Sequence, residues 1–454
     1  MPQPIVRAAA TLALLAALLA ACAPTPTASS APSAVPTVAA TAAVVATAGP
    51  TASPTVGPSL GRDASWRADL DRIVPGMAAI HPNLFHGTSR TDLEARVAAL
   101  WARVPTATDD ELMVGVLRIV ALVSAAGCDG HTGAFVWGTG TYPVDSLPLR
   151  LWLFDDDLVV VDALPPYADL IGLRVDAIES HPTADVLAFI DPLVPRDNAQ
   201  TVRLVTPRFV LIPQVLRGLG LADEGPISLV LSSQGSASRT VDVDPLPMAT
   251  YNAWAGPYGL HLPVDPDVHY LARIDDALWW ELLPDGETLY VQDNRVDHLP
   301  DSQLNQLKVA LADPEVARVV LDIRHNYGGE LSALDPVAAL FRDRIVDQPD
   351  RLFVIIGRNT FSAGSLLVAR LERDTQAVFV GETMGGCPTL YGNSSDLELP
   401  FSGIVISVAG DLAVGVDPAD TRQTIEPDVE AVLTLEEWAA GRDPALEAIV
   451  GVAP

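Results

Sequence analysis

The chain has 454 residues, of which 57 are acidic and 28 basic, and its formal net charge is -29. This balance excludes nucleic-acid binding through a basic surface, so we expect no nucleic-acid partner. It suits a soluble exported protein, and the length is enough for two or three folded domains.

The first 21 residues have the form of an export signal. Arg7 precedes an apolar run that is short for a membrane span and ends at Cys22. The sequence Leu19-Ala20-Ala21-Cys22 resembles a bacterial lipobox, which implies cleavage before Cys22 and lipid attachment to its thiol. The alternative is a plain secretory signal with an incidental cysteine. We expect an exported lipoprotein, anchored to the extracytoplasmic face of the cell membrane.

A linker follows the lipidation site. Residues 23–61 contain no Asp, Glu, Lys or Arg and are rich in Pro, Thr and Ala. Such a composition buries no core, so we expect residues 22–61 to be a disordered tether.

Residues 62–140 are predicted to form an N-terminal helical subdomain. Apolar residues recur there at helical spacing, and the stretch from Thr108 to Glu111 has the pattern of a helix start. The helical part leads into Cys128-Asp129-Gly130-His131-Thr132.

Residues 145–245 alternate short apolar runs with turns, which predicts strands and two helices. Residues 171–178 resemble the G-x-x-V-x-x-I stretch of PDZ domains. We therefore expect a PDZ-like α+β domain.

Residues 250–450 alternate strand-like and helix-like segments. This alternation predicts a parallel or mixed sheet covered by helices.

Ser362 lies in a tight polar turn of this last region. A buried strand over residues 352–356 leads through GRNTFSAG into an amphipathic helix, which places Ser362 at the helix N-terminus. Free backbone N–H groups and the helix dipole favour developing negative charge there, as a nucleophile and an oxyanion hole require. Taken alone, this segment is more often explained by an ordinary N-cap serine.

Two glycine segments accompany this turn. The first follows a buried strand, with Gly328 and Gly329 at its end, and the second is VGETMGG at residues 380–386. Glycines let a backbone approach a ligand closely and present its N–H groups.

Together these segments resemble the S41 peptidases, the family of C-terminal processing (tail-specific) proteases and tricorn proteases. The similar stretches are VVLDIRHNYGG, NTFSAGS, AVFVGETMGG and DGHT, in the family order, and the resemblance spans roughly residues 65–450. It implies an α/β core of the Clp protease/crotonase type, with a PDZ-like insert and an N-terminal helical subdomain.

The resemblance also implies how the serine is activated. Processing proteases of the family use a lysine in the glycine segment after the serine, where this chain has Cys387. The chain's one lysine, Lys308, is on a predicted helix among polar residues. A histidine suits the role of base near neutral pH. His131 matches the tricorn-like branch, and His325 is the second candidate.

The resulting assignment makes Ser362 the nucleophile and His131 its base. Backbone N–H groups of Ala363 and of Gly328 or Gly329 are expected to hold the oxyanion, while Asp322 and Arg324 hold the loop in place. Where tricorn proteases have their glutamate, this chain has Thr421. The acid orienting His131 is therefore unassigned, with Glu382, Asp417 and Asp420 as candidates.

Cys128 and Cys387 lie beside segments that should converge on Ser362, so we expect a disulfide between them. Two separate thiols are the equally open alternative. The cysteine and histidine spacing indicates no zinc site, and we expect no cofactor.

These inferences predict a membrane-tethered serine-type peptidase that hydrolyses extracytoplasmic proteins or peptides. The alternative is a catalytically inactive ligand- or peptide-binding lipoprotein of the same fold. A lipase is disfavoured because the turn lacks the G-x-S-x-G pattern.

Overall fold

The computed structural model describes residues 61–138, 142–233, 236–256 and 260–451. These residues fall within a single unit of the chain. The predictions for the signal peptide, for Cys22 and for the linker up to residue 60 lie outside the described residues. Among the helices in the described ranges, none has the length and apolarity needed to cross a membrane.

The first described elements are three helices. They are α1 (Arg62–Ile80), α2 (Arg90–Arg103) and α3 (Asp109–Ala121). α3 begins where the sequence predicted, because the Thr108 side chain accepts the Glu111 N–H and the Glu111 carboxylate accepts the Thr108 N–H. A 3₁₀ turn, Leu122–Ala126, then leads into the segment that carries His131.

An antiparallel sheet forms the next region. The elements of this region in chain order are β1 (Gly133–Ala134), β2 (Asp145–Ser146), β3 (Leu149–Phe154), β4 (Asp157–Ala163), β5 (Arg174–Ile178), β6 (His181–Pro182), α4 (Thr183–Ile190), α5 (Ala199–Val210), α6 (Pro213–Gly218), β7 (Ile227–Ser232), β8 (Arg239–Val243), β9 (Leu246–Pro247) and α7 (Met248–Ala255). The strand order of the sheet is β3-β4-β5-β7-β8, with β6 paired to β5. The helices α4 and α5 pack against it.

The last region is built on a mixed six-stranded sheet. Its elements are β10 (Leu278–Leu282), β11 (Thr288–Asp293), α8 (Asp301–Leu311), β12 (Arg318–Asp322), α9 (Leu334–Phe341), β13 (Leu352–Ile356), α10 (Ala363–Asp374) and β14 (Val378–Gly381). The strands β11 to β14 are parallel neighbours, and β10 pairs antiparallel with β11. Because parallel strands end at one edge, the loop after β12 and the turn after β13 meet there.

The C-terminal elements complete the fold. They are β15 (Thr389–Gly392), β16 (Ser395–Glu398), β17 (Val405–Val408), β18 (Asp411–Val414), β19 (Val429–Glu430), α11 (Leu435–Ala439) and α12 (Pro444–Val450). β19 adds to the large sheet next to β14, and β15 pairs with β18 as a two-stranded ribbon. β1 pairs with β17, so the His131 segment is joined to this C-terminal region.

A buried polar network ties the core sheet to the C-terminal helix. Arg324 donates to both oxygens of Asp443 at 2.8 Å and to Asp322, whose other oxygen accepts the Tyr290 hydroxyl. Asp322 and Arg324 therefore hold the loop after β12, as the sequence indicated.

The mixed α/β fold predicted from the sequence is confirmed. The domain boundaries and the PDZ-like assignment of residues 145–245 stay predictions.

Candidate active site

Ser362 occupies the turn between β13 and α10. All five residues of β13 are buried, and α10 begins at Ala363. Ser362 has φ 55° and ψ -127°, a conformation that serine rarely adopts, and its side chain does not cap the helix. Ser362 is the N-cap residue of α10, but its hydroxyl is directed to a residue outside this helix.

That partner is His131. Its Nε2 lies 2.9 Å from Ser362 Oγ, although the two residues are 231 positions apart. The Phe361 ring stacks on the imidazole, with ring centroids 4.7 Å apart, and limits its rotation. The nucleophile and base predicted from the sequence are thus within hydrogen-bond distance.

Burial sets the protonation state of His131. Desolvation lowers the pKa of its imidazole to about 4, while Asp129, the Tyr391 carbonyl and Asp411 oppose this change. A neutral imidazole has a lone pair to accept the serine proton, so His131 is in the form that a general base needs at neutral pH.

The backbone N–H groups predicted to bind the oxyanion differ in whether they already have a hydrogen-bond partner. The Gly328 N–H donates to Asn326 Oδ1 at 3.0 Å and so already has a partner. The N–H groups of Ala363 and Gly329 form no hydrogen bond within the described part of the chain. Ala363 and Gly329 are therefore the stronger candidates.

Gly328 has a steric role beside the nucleophile. Its φ is 111°, and a Cβ built on it would lie 2.6 Å from Ser362 Cβ and 3.0 Å from Ser362 Oγ. A side chain there would fill the space at the hydroxyl.

Asn326 is a positioning residue that the sequence argument did not single out. Its side-chain amide N–H donates to the Asp293 backbone carbonyl at 3.1 Å, and its backbone carbonyl accepts the Phe361 N–H at 3.0 Å. It therefore links the glycine loop to the serine turn. The sequence feature that could have identified Asn326 is its position in the DIRHNYGG segment.

The three acids predicted to orient His131 lie elsewhere. Glu382 pairs with Arg358 at 2.8 Å, Asp420 pairs with Arg422, and Asp417 accepts the Ala419 N–H. None of the three hydrogen-bonds His131. Each of these carboxylates has a different partner.

His325 is not brought to the nucleophile either. Its ring stacks on Tyr270, and its buried Nε2 has no hydrogen-bond partner in the described ranges. Burial lowers the pKa of its imidazole well below the usual value. Lys308 is exposed on α8.

Cys128 and Cys387 form a disulfide, with their Cα atoms 5.5 Å apart. Asp197 reinforces this connection: one carboxyl oxygen accepts the Gly130 N–H at 2.6 Å and the other the Cys387 N–H at 3.2 Å. Burial raises the pKa of the Asp197 carboxyl to about 7, despite these two bonds. The His131 segment is thus tied to the glycine segment twice.

Asp129 is the centre of a buried cluster behind His131. Its Oδ2 lies 3.1 Å from His81 Nε2 and 3.0 Å from His86 Nε2. Burial would raise the pKa of the Asp129 carboxyl, but the hydrogen bonds from both histidines hold it below its usual value. The sequence showed Asp129 only as a neighbour of His131.

These three side chains have the types and spacing of cation ligands. However, His81 Nδ1 accepts the Asn83 N–H at 2.9 Å, so the proton of a neutral ring is on Nε2. A nitrogen that carries a proton cannot ligate a metal. The cluster therefore acts as a hydrogen-bonded support for the DGHT segment.

Structure comparison finds the same fold in solved proteins. A structure of mature CPAF complexed with lactacystin matches 86% of this chain and 98% of its own length, with a TM-score of 0.59 and 11% identity. Another structure of mature CPAF gives a TM-score of 0.55 and 12% identity over 85% of this chain and 96% of its own. CPAF is an S41-family peptidase. Neither a protein-family model nor a curated protein matches the sequence.

Proposed function

We propose that this chain, which has the fold of S41-family peptidases, is a serine-type peptidase with a Ser–His mechanism. The observation that supports the proposal most directly is the 2.9 Å contact between Ser362 Oγ and His131 Nε2. The unusual backbone of Ser362 adds to it, since strained conformations cluster at active sites.

The geometry supports a two-step hydrolysis. Ser362 Oγ attacks the carbonyl carbon of a peptide bond while His131 Nε2 takes the hydroxyl proton. When the C–N bond breaks, His131 returns this proton to the leaving amine, and an acyl ester remains on Ser362. Water then attacks the ester with His131 again as the base, which releases the acid and restores the serine.

The negative charge that develops on the carbonyl oxygen needs donors in fixed positions. We assign this role to the N–H groups of Ala363 and Gly329. Ala363 is the first residue of α10, where the helix dipole also favours negative charge. Losing one such donor typically lowers the rate by about 10²–10³-fold.

The proposed substrates are proteins or peptides outside the cytoplasm, and the enzyme is held near the membrane by a lipid on Cys22. This part of the proposal rests on the lipobox-like sequence and on the uncharged linker after it. The proposed activity needs no metal or cofactor.

A fluorophosphonate probe tests the chemistry directly. The wild-type protein should be labelled at Ser362. Labelling should vanish in Ser362→Ala and fall by at least about 10²-fold in His131→Ala, because a positioned base contributes about 10²–10⁴-fold.

Ser365→Ala is a matched control, since Ser365 is buried on α10 and its hydroxyl donates to the Thr360 carbonyl at 3.2 Å. It should label like the wild type. A folded wild-type protein that is not labelled would contradict the proposal and favour an inactive binding protein of the same fold.

A further inference from the structure

His131 lacks an obvious orienting group, although its other ring nitrogen is buried. Nδ1 has no hydrogen-bond partner within the described part of the chain. A base whose second nitrogen is held by an acceptor keeps its tautomer and ring orientation, and the acceptor stabilises the imidazolium during the reaction. Nδ1 of His131 therefore needs a hydrogen-bond acceptor.

The β15–β18 ribbon places one carboxylate on the correct face. Gly392 and Asp411 are directly opposite each other in the antiparallel register, so their Cβ directions share a face. A Cβ on Gly392 would lie 3.9 Å from His131 Cε1, which shows that the imidazole lies over this face. The missing side chain at Gly392 leaves room for the ring.

Side-chain alternation along the ribbon agrees with this placement. Leu390 and Ala413, which share the face of Gly392 and Asp411, are buried. Leu412 points to the opposite face and is 46% exposed. Tyr391 also points there, with its ring 4.8 Å from that of His81.

Asp411 has one oxygen that is still unused. Its Oδ2 accepts the Asn393 side-chain amide at 3.1 Å, while its Oδ1 is buried and has no partner among the described residues. Unpaired buried polar atoms are rare. The other carboxylate near His131 belongs to Asp129, whose Oδ2 bonds His81 and His86 and whose Oδ1 is likewise buried without a hydrogen-bond partner in the described ranges. Its two histidines lie beside the Tyr391 ring, on the face of the ribbon opposite to Gly392 and Asp411.

We propose that Asp411 is the positioning residue that accepts the Nδ1 proton of His131, with Asn393 fixing the orientation of the carboxylate. This inference rests on the proposed function. It replaces the three acids expected from the sequence by one that is 49 residues after Ser362 in the chain.

The test compares Asp411→Asn and Asp411→Glu with Asp417→Asn. The last is a matched control, because Asp417 is exposed and its carboxylate accepts the Ala419 N–H. With a fluorophosphonate probe, Asp411→Asn should lower the maximal labelling rate by about 100-fold, the lower end of a positioned base's contribution. The probe concentration at half-maximal rate should not change. Asp411→Glu, which keeps the charge, should recover part of the rate.

A second readout does not depend on activity. Titration of ¹⁵N-labelled histidine by NMR in full-length protein should show a lower pKa for His131 in Asp411→Asn than in the wild type, and no shift in Asp417→Asn. If Asp411→Asn and Asp417→Asn both match the wild type in titration and labelling, Asp411 does not hold the Nδ1 proton and the inference fails. If no protein is labelled, the peptidase proposal fails, and the titration alone still decides the role of Asp411.

Discussion

At the residue scale, Ser362 combines an unusual backbone conformation with a side chain that does not cap the helix. A non-glycine residue in such a region costs about 1–3 kcal/mol and persists where its surroundings enforce it. Here the Phe361 N–H bonds Asn326, and the Gly364 N–H bonds the Phe361 carbonyl. The turn is therefore held from both sides, and the hydroxyl stays aimed at His131.

The pKa of His131 gives a pH dependence that can be measured. Because desolvation lowers this pKa to about 4, the imidazole stays neutral until the pH falls to that value. The labelling rate of Ser362 should be nearly constant from neutral pH down to about 5 and decline through about 4. A rate that halves near 6.5, the value of an unperturbed histidine, would contradict this environment. The measurement is a pH profile of labelling, with intrinsic fluorescence to confirm that the protein stays folded.

At the element scale, the catalytic pair depends on how two segments are joined. His131 lies after the N-terminal helices and Ser362 lies in the core sheet. Between them the disulfide and Asp197 connect residues 128–130 to Cys387. The connection keeps the base next to the nucleophile.

Reduction of this disulfide should therefore impair both stability and reactivity. Loss of a native disulfide typically costs about 2–5 kcal/mol of unfolding free energy. We expect reductant to lower the midpoint of thermal unfolding and to slow labelling of Ser362.

The variant with both Cys128→Ser and Cys387→Ser is the control, because it should resemble the reduced protein and not respond to reductant. Equal labelling of the oxidised and reduced wild type would show that the link does not position His131. Titration of the denatured, unreduced protein checks the starting state, where two free thiols would argue against the bond.

The sequence predicted those elements whose patterns are local. The run at residues 352–356, the polar turn and the amphipathic stretch after it identified β13, Ser362 and α10. Motif order identified His131. The orienting acid could not be found in this way, because it depends on the register of β15 against β18, which brings Asp411 opposite Gly392. The candidates taken from the sequence were Glu382, Asp417 and Asp420, whose carboxylates bond other partners.

The same limit applies to Gly328 and to the Asp129 cluster. Nothing in a glycine pair shows which N–H is already bonded to a neighbouring side chain, as that of Gly328 is to Asn326. The bonds from His81 and His86 to Asp129 require helix packing that composition does not reveal.

At the scale of the whole molecule, the described unit is proposed to work at the end of a lipid-linked tether. This predicts that Cys22→Ser, expressed from the full-length sequence in a bacterial host, moves from the membrane fraction to the soluble fraction and loses incorporation of labelled palmitate. Ser30→Ala, a change within the linker, is the control and should behave like the wild type. Equal incorporation in the Cys22 variant would contradict the anchor.

The Cys128–Cys387 bond also bears on when the protein becomes active. Such bonds persist in oxidising compartments and are rare in the cytoplasm. Before the bond forms, no covalent link joins its two segments, which are 259 residues apart in the chain. On the proposed function and the proposed export, Ser362 should label weakly until the bond forms outside the cytoplasm, so that export itself would be the activating event and the proteins of the producing cell would be spared.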